Sequence, residues 1–507
     1  MGIVAKQSIY NTVIIFAGAF LGAINILFLF PIILPDEQIG LTRILLTFTV
    51  LFSQFVSLGS QSMLVKFIPK FRVDFTYKGS ATYIFKISIV GFIISSLILF
   101  FGKPIFDHFY LENSSLFITY FFYLIPLILF QILINYISGF LQALFKSVFP
   151  LFVNEILTRI LQTIILILFY FSYINFEMFM LLFVLNYAIT SSILLLFVFI
   201  KKYFNFRPQD KISKSEKIEI LKFGFANTLT GLAGNLTNRI DLLMIGSILG
   251  AVGISSQDYN KGLYYITIYA IASYMAALIE MPARALANIA STFVSKAWKE
   301  NDITTISSLY KKSSTNQLII GLLIFIGIWA SIDNLLIITG KDYSEGKYVF
   351  LFLALAKLFN VAAGINGKII MLSKHYIVIT YLTFSLAIVT FISNLYFIPF
   401  FEQLPGRNGI EGAAFATALS IFAFNIFSFF YLKLKFNLQP YTLKTMFVIL
   451  FGVLSYISIF ILGDFSNIYL EIIVKSFLIC IIFIPLILLS KVSTDINDLF
   501  KIIFKRK

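Results

Sequence analysis

The sequence predicts an all-α integral membrane protein of about fourteen transmembrane helices, arranged as two six-helix lobes with two appended helices. Three observations carry that prediction. The 507 residues are 59% hydrophobic and only 12% charged, with a mean hydropathy of +0.93, whereas soluble domains carry about 25% charged residues. Apolar runs of the roughly 20 residues that a span needs recur along the whole chain. Lys and Arg fall mainly in alternate inter-span segments, which is how a fixed orientation is written.

In chain order, an N-lobe over 1–205 is expected to hold spans at 8–34, 39–67, 80–102, 115–142, 148–172 and 177–200. The first carries the small-residue run "AGAFLGA", which lets membrane helices approach closely. No small-residue cleavage site follows it, so it reads as a retained helix. Span two begins past the acidic turn "PDEQ" and carries Arg43, span three carries Lys86 near one end, and span five carries Glu155 and Arg159. The most polar stretch follows, "KKYFNFRPQDKISKSEKIEILK", with 206–222 as a cytoplasmic linker. A C-lobe over 223–435 then takes spans at 219–250, 262–291, 314–338, 347–371, 376–400 and 409–432. "AIASYMAAL" and "GAAFATALS" repeat the small-residue signature in spans eight and twelve. Spans at 442–463 and 467–490 close the chain within 436–507. The single Cys480 lies there and can form no intramolecular disulfide.

With the N-terminus cytoplasmic, inner segments hold 27 Lys and Arg and outer segments five. That asymmetry predicts both termini inside and an even number of spans. It also accounts for the +15 net charge as a topology signal, with no nucleic-acid partner implied. The lobes echo each other: "GFLQALFK" (139–146) and "GKIIMLSK" (367–374) place Gly, Leu and Lys at the same offsets, six spans apart. An even period gives two lobes of the same orientation, a repeat arrangement that secondary transporters use.

Ten ionisable residues fall within spans: Arg43, Lys86, Arg159, Arg239, Arg284, Lys357, Lys475, Glu155, Asp241 and Glu280. Each costs about 2.5–3.5 kcal/mol at a helix centre on insertion scales, so it must face protein or a water-filled cavity. Glu155 with Arg159, and Glu280 with Arg284, are four apart with the acid first, the favourable order for an in-helix pair. Arg43 has no acid three or four positions away. Lys357 and Arg239 lie about eleven residues into their spans, roughly mid-bilayer. Asp241 lies about 200° from Arg239 around the helix and cannot neutralise it. Seven basic against three acidic residues leave a net positive interior. Asn25, Gln54, Asn135, Asn227, Asn235, Asn238, Asn360 and Asn366 make it wet. A basic, hydrated cleft between two lobes suits an anion, above all phosphate. Arg43, Arg159, Arg239 and Lys357 are the expected substrate-binding residues. Glu155, Asp241, Glu280 and Arg284 are expected ion-coupling or ion-pairing residues.

Other chemistries are not written here. "AAGINGKII" fails as a phosphate loop, because Ile369 stands where Ser or Thr is required. His108 and His375 are alone in their loops, so neither a metal site nor a cofactor is expected. No Ser/His/Asp arrangement and no extramembrane catalytic surface is apparent.

Four segments stand out together: "NRIDLLMIGSILG" (238–250), "YNKGLYYITIYAIASYMAALIEMPARALANIASTFVSKAW" (259–298), "GKIIMLSKHY" (367–376) and "IPFFEQLPGRNGIEGAAFATALS" (398–420). Through them the chain resembles the multidrug/oligosaccharidyl-lipid/polysaccharide exporter superfamily, and within it the bacterial polysaccharide repeat-unit flippases. The resemblance implies a MATE-like fold and no enzyme activity. It implies translocation of undecaprenyl-pyrophosphate-linked oligosaccharides from the cytoplasmic to the outer leaflet for O-antigen, capsule or exopolysaccharide synthesis. Alternating access through a basic central cavity in a bacterial inner membrane is implied with it; with no ATPase, the expected drive is an ion gradient (H+ or Na+), the membrane potential or consumption of product outside. The roles of Arg43, Arg239 and Lys357 carry over by helix number and depth. Drug-exporting relatives typically have twelve spans and acidic cavity residues, and this chain departs from both. A multidrug or cation exporter, and a membrane polymerase or glycosyltransferase, are the alternatives.

Overall fold

The computed structural model describes residues 3–498 except 71, 74–75, 78, 113, 204–211, 238, 250–259, 462–464 and 466. Asn238 and the first part of the expected linker therefore lie outside the described residues. The chain forms two compact units, Met1–Thr267 and Ile268–Lys507.

In the first unit, α1 (Ile3–Ala23) continues through a wide π turn, Ile24–Leu29, to Ile33. Helix α2 (Asp36–Val56) starts after Pro35 with Asp36 and Glu37 in its first turn, where acids favour the helix dipole. It does not run on to residue 67 as one span. Leu58 and Gly59 adopt positive φ and turn the chain into α3 (Ser60–Lys70). A two-residue hairpin, Arg72–Val73 with Thr76–Tyr77, leads to α4 (Ser80–Tyr110). Ile94, Leu97, Ile98 and Phe101 of α4 are exposed, as a lipid-facing helix requires. Met63, Leu64, Phe67 and Ile68 of α3 bury against Ile134, Ile137, Phe140 and Leu141 of α5 (Leu124–Ala143). Helix α6 (Val148–Tyr170) carries a second π turn at Val153–Leu157 and precedes α7 (Phe176–Ile200). Helix α8 (Lys214–Thr237) packs so closely that a Cβ at Gly224 would lie 2.9 Å from the Leu58 carbonyl oxygen. Short α9 (Ile240–Ile248) follows.

Helix α10 (Lys261–Leu278) leads into the second unit, and α11 (Met281–Lys299) starts at Pro282, which cannot continue a preceding helix. Then come α12 (Ile303–Trp329), α13 (Lys347–Ala362), α14 (Asn366–Leu372), α15 (Tyr376–Glu402), α16 (Gly409–Phe436), α17 (Leu443–Ile457) and α18 (Ile468–Leu489). Leu318, Ile319, Leu322 and Ile326 of α12 form one apolar cluster with Val448, Ile479, Phe483 and Ile487 of α17 and α18. Beyond α18 the chain is fastened to the start of α12. Ser493 Oγ donates to Asn316 Oδ1 at 2.6 Å, Asn316 Nδ2 donates to Asp495 Oδ2 at 2.9 Å, and Lys312 Nζ is 3.2 Å from Asp495 Oδ1.

Among the described residues, eleven helices are long and apolar enough to cross a membrane, or twelve with α13 and α14 taken as one span bent by 52°. The difference from the expected fourteen lies in spans seven and eight. Both are helical, but the 24 residues of α8 open on the charged run KSEKIEILK and the 18 of α10 begin at Lys261 and carry four tyrosines, so neither is apolar enough along a full span.

Candidate functional site

Each unit holds one cluster of expected site residues, and Lys475 stands apart from both, paired with Glu471 on α18. In the first unit, the two π turns bring α1 against α6. A Cβ at Gly18 would stand 2.7 Å from the Glu155 carbonyl oxygen, so only glycine admits this approach. Asn25, 1% exposed, donates through Nδ2 to the Arg159 carbonyl at 3.1 Å and accepts from Thr163 Oγ1 at 2.8 Å. A π turn widens the helix by one residue and is frequent at functional sites. Here the second one holds Glu155, whose Oε2 is 2.9 Å from Arg159 Nη2. The Nη1 of Arg159 is buried and makes no hydrogen bond among the described residues.

Arg43, on α2, lays its guanidinium 4.6 Å from the Phe30 ring centroid. Arg239 occupies the break between α8 and α9, with φ −137° and ψ −11°. Asp241, 3% exposed, stands in the first turn of α9, where the helix dipole favours an acid. The reasoning that set Arg239 and Asp241 on opposite faces of one helix therefore fails, because the helix is interrupted at Arg239. Tyr187 of α7 joins the picture: the charges of Arg43, Arg239 and Arg159 all act on its hydroxyl. The charges of three of the four expected substrate-binding residues are thus felt at one phenol.

The fourth, Lys357, belongs to the second unit, and its partner there is Glu280. Lys357 Nζ is 3.2 Å from Glu280 Oε2, with side-chain exposures of 14% and 8%. Arg284 Nη2 reaches the same oxygen at 3.3 Å, as the four-residue spacing predicts, but its side chain is 64% exposed. Asn360 Nδ2 donates to Glu280 Oε1 at 2.7 Å. Behind it, Asn425 Nδ2 donates to Asn360 Oδ1 at 3.0 Å and Asn366 Nδ2 to Asn425 Oδ1 at 2.9 Å. The chain of amides crosses from α13 to α16 and α14. Gly364, at φ +65°, makes the bend between α13 and α14, and Ser314 Oγ caps it by donating to the Ala362 carbonyl at 2.5 Å. A cavity of about 160 Å³ opens beside Glu280, lined also by Arg284, Gln317, Asn360 and Gly364.

Sequence reasoning missed Tyr187, Gln317 and Asn425. Asn425 was findable as a lone amide in "FAFNIFSFF". Tyr187 is one of 26 tyrosines, and nothing local marks it out. Among the described residues, no three His, Cys, Asp or Glu side chains gather as a metal site would need.

The comparisons with known proteins agree with this architecture. The model of the family "Polysaccharide biosynthesis protein" matches residues 4–286. The solved "Lipid II flippase MurJ, inward closed conformation" is 15% identical, with a TM-score of 0.74 over 96% of this chain and 100% of that one. An inward-facing "multidrug resistance MATE family transporter of the MOP superfamily" is 16% identical, with a TM-score of 0.60 over 85% of this chain and 94% of that one. An outward-facing conformation under the same description gives 0.55 at 14% identity, over 85% of this chain and 95% of that one. No curated protein matches the chain. At such identities the solved structures speak to the fold, while the family model spans more than half of the sequence: the chain belongs to the polysaccharide biosynthesis protein family.

Proposed function

We propose that this protein is a flippase for polyprenyl-pyrophosphate-linked oligosaccharide repeat units, of the kind used to build O-antigen, capsule or exopolysaccharide. One observation carries the reading: the charges of Arg43, Arg159 and Arg239 all bear on Tyr187, inside the family-matched part of the chain. Guanidinium forks match phosphoryl oxygens and hold them more strongly than neutral donors do. In a membrane interior the alternative partner, water, is scarce, so a pyrophosphate would gain most where such donors are already fixed. Tyr187 offers a donor and an aromatic face beside them. The polyprenyl tail stays in lipid while the head group crosses by alternating access, and no covalent bond changes. Glu155, Asp241 and Glu280 are the residues through which an H+ or Na+ gradient would couple, with Arg159 and Arg284 as their counter-charges. The setting is a bacterial cytoplasmic membrane with both termini inside.

The test is a proteoliposome assay with a fluorescent short-chain polyprenyl-pyrophosphate disaccharide. Protein-dependent movement between leaflets, blocked in Arg43→Ala, Arg159→Ala and Arg239→Ala proteins, is the expected result. Export of a cationic dye with no movement of the lipid-linked sugar would replace this reading with that of a cation exporter.

A further inference from the structure

The cavity beside Glu280 has the donors of an anion site and already holds an anion of its own. Two cations and one amide converge on the single Glu280 carboxylate: Lys357 Nζ at 3.2 Å, Arg284 Nη2 at 3.3 Å and Asn360 Nδ2 at 2.7 Å. With one acid between two bases, the cluster keeps a positive charge. Gln317 lines the same cavity, is 3% exposed, and its Nε2 donates to nothing among the described residues. A buried donor with no acceptor is costly unless something else supplies one. The volume, about 160 Å³, holds several waters or a phosphate group. It is well below the roughly 300–1,000 Å³ typical of sites that enclose a whole small-molecule ligand.

We infer that this cavity is a phosphoryl-anion subsite in which the Glu280 carboxylate is a resident competitor, displaced from Arg284 and Lys357 by an arriving phosphate and then protonated. The inference rests on the reading above that the cargo carries phosphate. Arg284 is the entry point, because its guanidinium is largely exposed and its hold on Glu280 is the longest of the three contacts. Once phosphate engages it and Lys357, Glu280 is left buried with only the Asn360 amide. A buried carboxylate without a cation is costly, and taking up a proton removes the charge. The charged groups seen facing Glu280 are Arg284 from α11 and Lys357 from α13, with the neutral amides of Asn360 from α13 and Gln317 from α12 around them. The proton comes from the bulk buffer acid, relayed through the cavity water, which leaves the buffer's conjugate base in solution and no other bond changed. Cargo binding and proton uptake become one event, since both draw on the same two cations.

The experiment is calorimetric titration of the full-length protein in nanodiscs with inorganic pyrophosphate and, separately, farnesyl pyrophosphate. It is run in buffers of different ionisation enthalpy, which counts protons. Close to one proton taken up per anion is expected for the wild type, and none for Glu280→Gln. That variant should bind about tenfold more tightly, one charge-assisted hydrogen bond having been freed. Arg284→Gln should bind about tenfold more weakly. Uptake with both probes assigns recognition to the phosphoryl group alone, and uptake only with farnesyl pyrophosphate assigns it to the lipid form; each supports the subsite. An unchanged proton count in Glu280→Gln, or weaker binding there, overturns it. If the lipid-linked sugar fails to cross in proteoliposomes while Glu280-dependent proton uptake persists, the cargo assignment falls and the subsite stands.

Discussion

The two buried charge clusters use the same residue types to opposite effect. In the first unit, three arginine charges act on one neutral phenol, and the carboxylate that joins them, Glu155, is about a third exposed. In the second unit one carboxylate is met by an ammonium, a guanidinium and an amide, and two more asparagines extend that network into the helices behind. One cluster sets several cations near a phenol, and the other closes two cations on a single carboxylate. Counting charges in the sequence does not separate the two cases, because what differs is the group the cations share.

The sharpest way to break the comparison is to remove cations from the first cluster. Arg43→Ala, Arg159→Ala and Arg239→Ala should each slow lipid-linked sugar movement about 10- to 100-fold, the worth of one or two charge-assisted hydrogen bonds. Lys at these positions should recover only part of the rate, since it lacks the fork. Wild-type rates in all three, with monodisperse gel-filtration profiles, would make the cluster structural.

Stability separates the two ion pairs next. Lys357→Met leaves the buried Glu280 with only the exposed Arg284, and should cost about 3 kcal/mol, with most of it recovered when Glu280→Gln is added. Glu155→Gln, in a pair exposed by about a third, should cost under about 1 kcal/mol. Melting curves in one detergent decide it, and equal losses would erase the distinction. A smaller effect on the same scale concerns packing. Gly18→Ala drives a methyl into the Glu155 backbone and should cost about 1–3 kcal/mol, whereas Gly102→Ala meets nothing within 4 Å and should be near neutral.

The smallest effect lies outside the membrane. Partial burial pushes the Asp495 carboxyl up, but hydrogen bonds from Asn316 and Lys312 outweigh it and hold the group below its ordinary 3.8. Its folded value being depressed, its stabilisation is present above pH 3.8 and is lost as pH falls below that. With the side chain 43% exposed, the difference between wild type and Asp495→Asn should stay well under about 1 kcal/mol, visible as melting curves that converge on acidification.

What was legible in the sequence was what the bilayer dictates directly. Length and apolarity located the spans other than seven and eight, and four-residue spacing found the Glu155–Arg159 and Glu280–Arg284 pairs. Depth singled out Arg239 and Lys357, and the lack of an acid one helical turn away singled out Arg43. What escaped depended on backbone irregularity or on a second helix. The π turns at Ile24–Leu29 and Val153–Leu157 leave no composition signal, and the break at Arg239 overturned an argument that assumed continuous helix. Lys357 finds Glu280 across 77 positions of sequence, a contact that periodicity along one helix cannot show.

The fastening of residues 493–495 to the start of α12 has a practical consequence. A gene cut after Leu489 would still encode every apolar run, so a hydropathy profile would rate the truncated product intact. It would nonetheless lose the Ser493 and Asp495 contacts that tie the end of α18 to a helix more than 170 positions earlier. Tags and reporters on this protein belong beyond that fastening, and a shortened version that purifies poorly should be suspected of having lost its clasp before its spans are blamed.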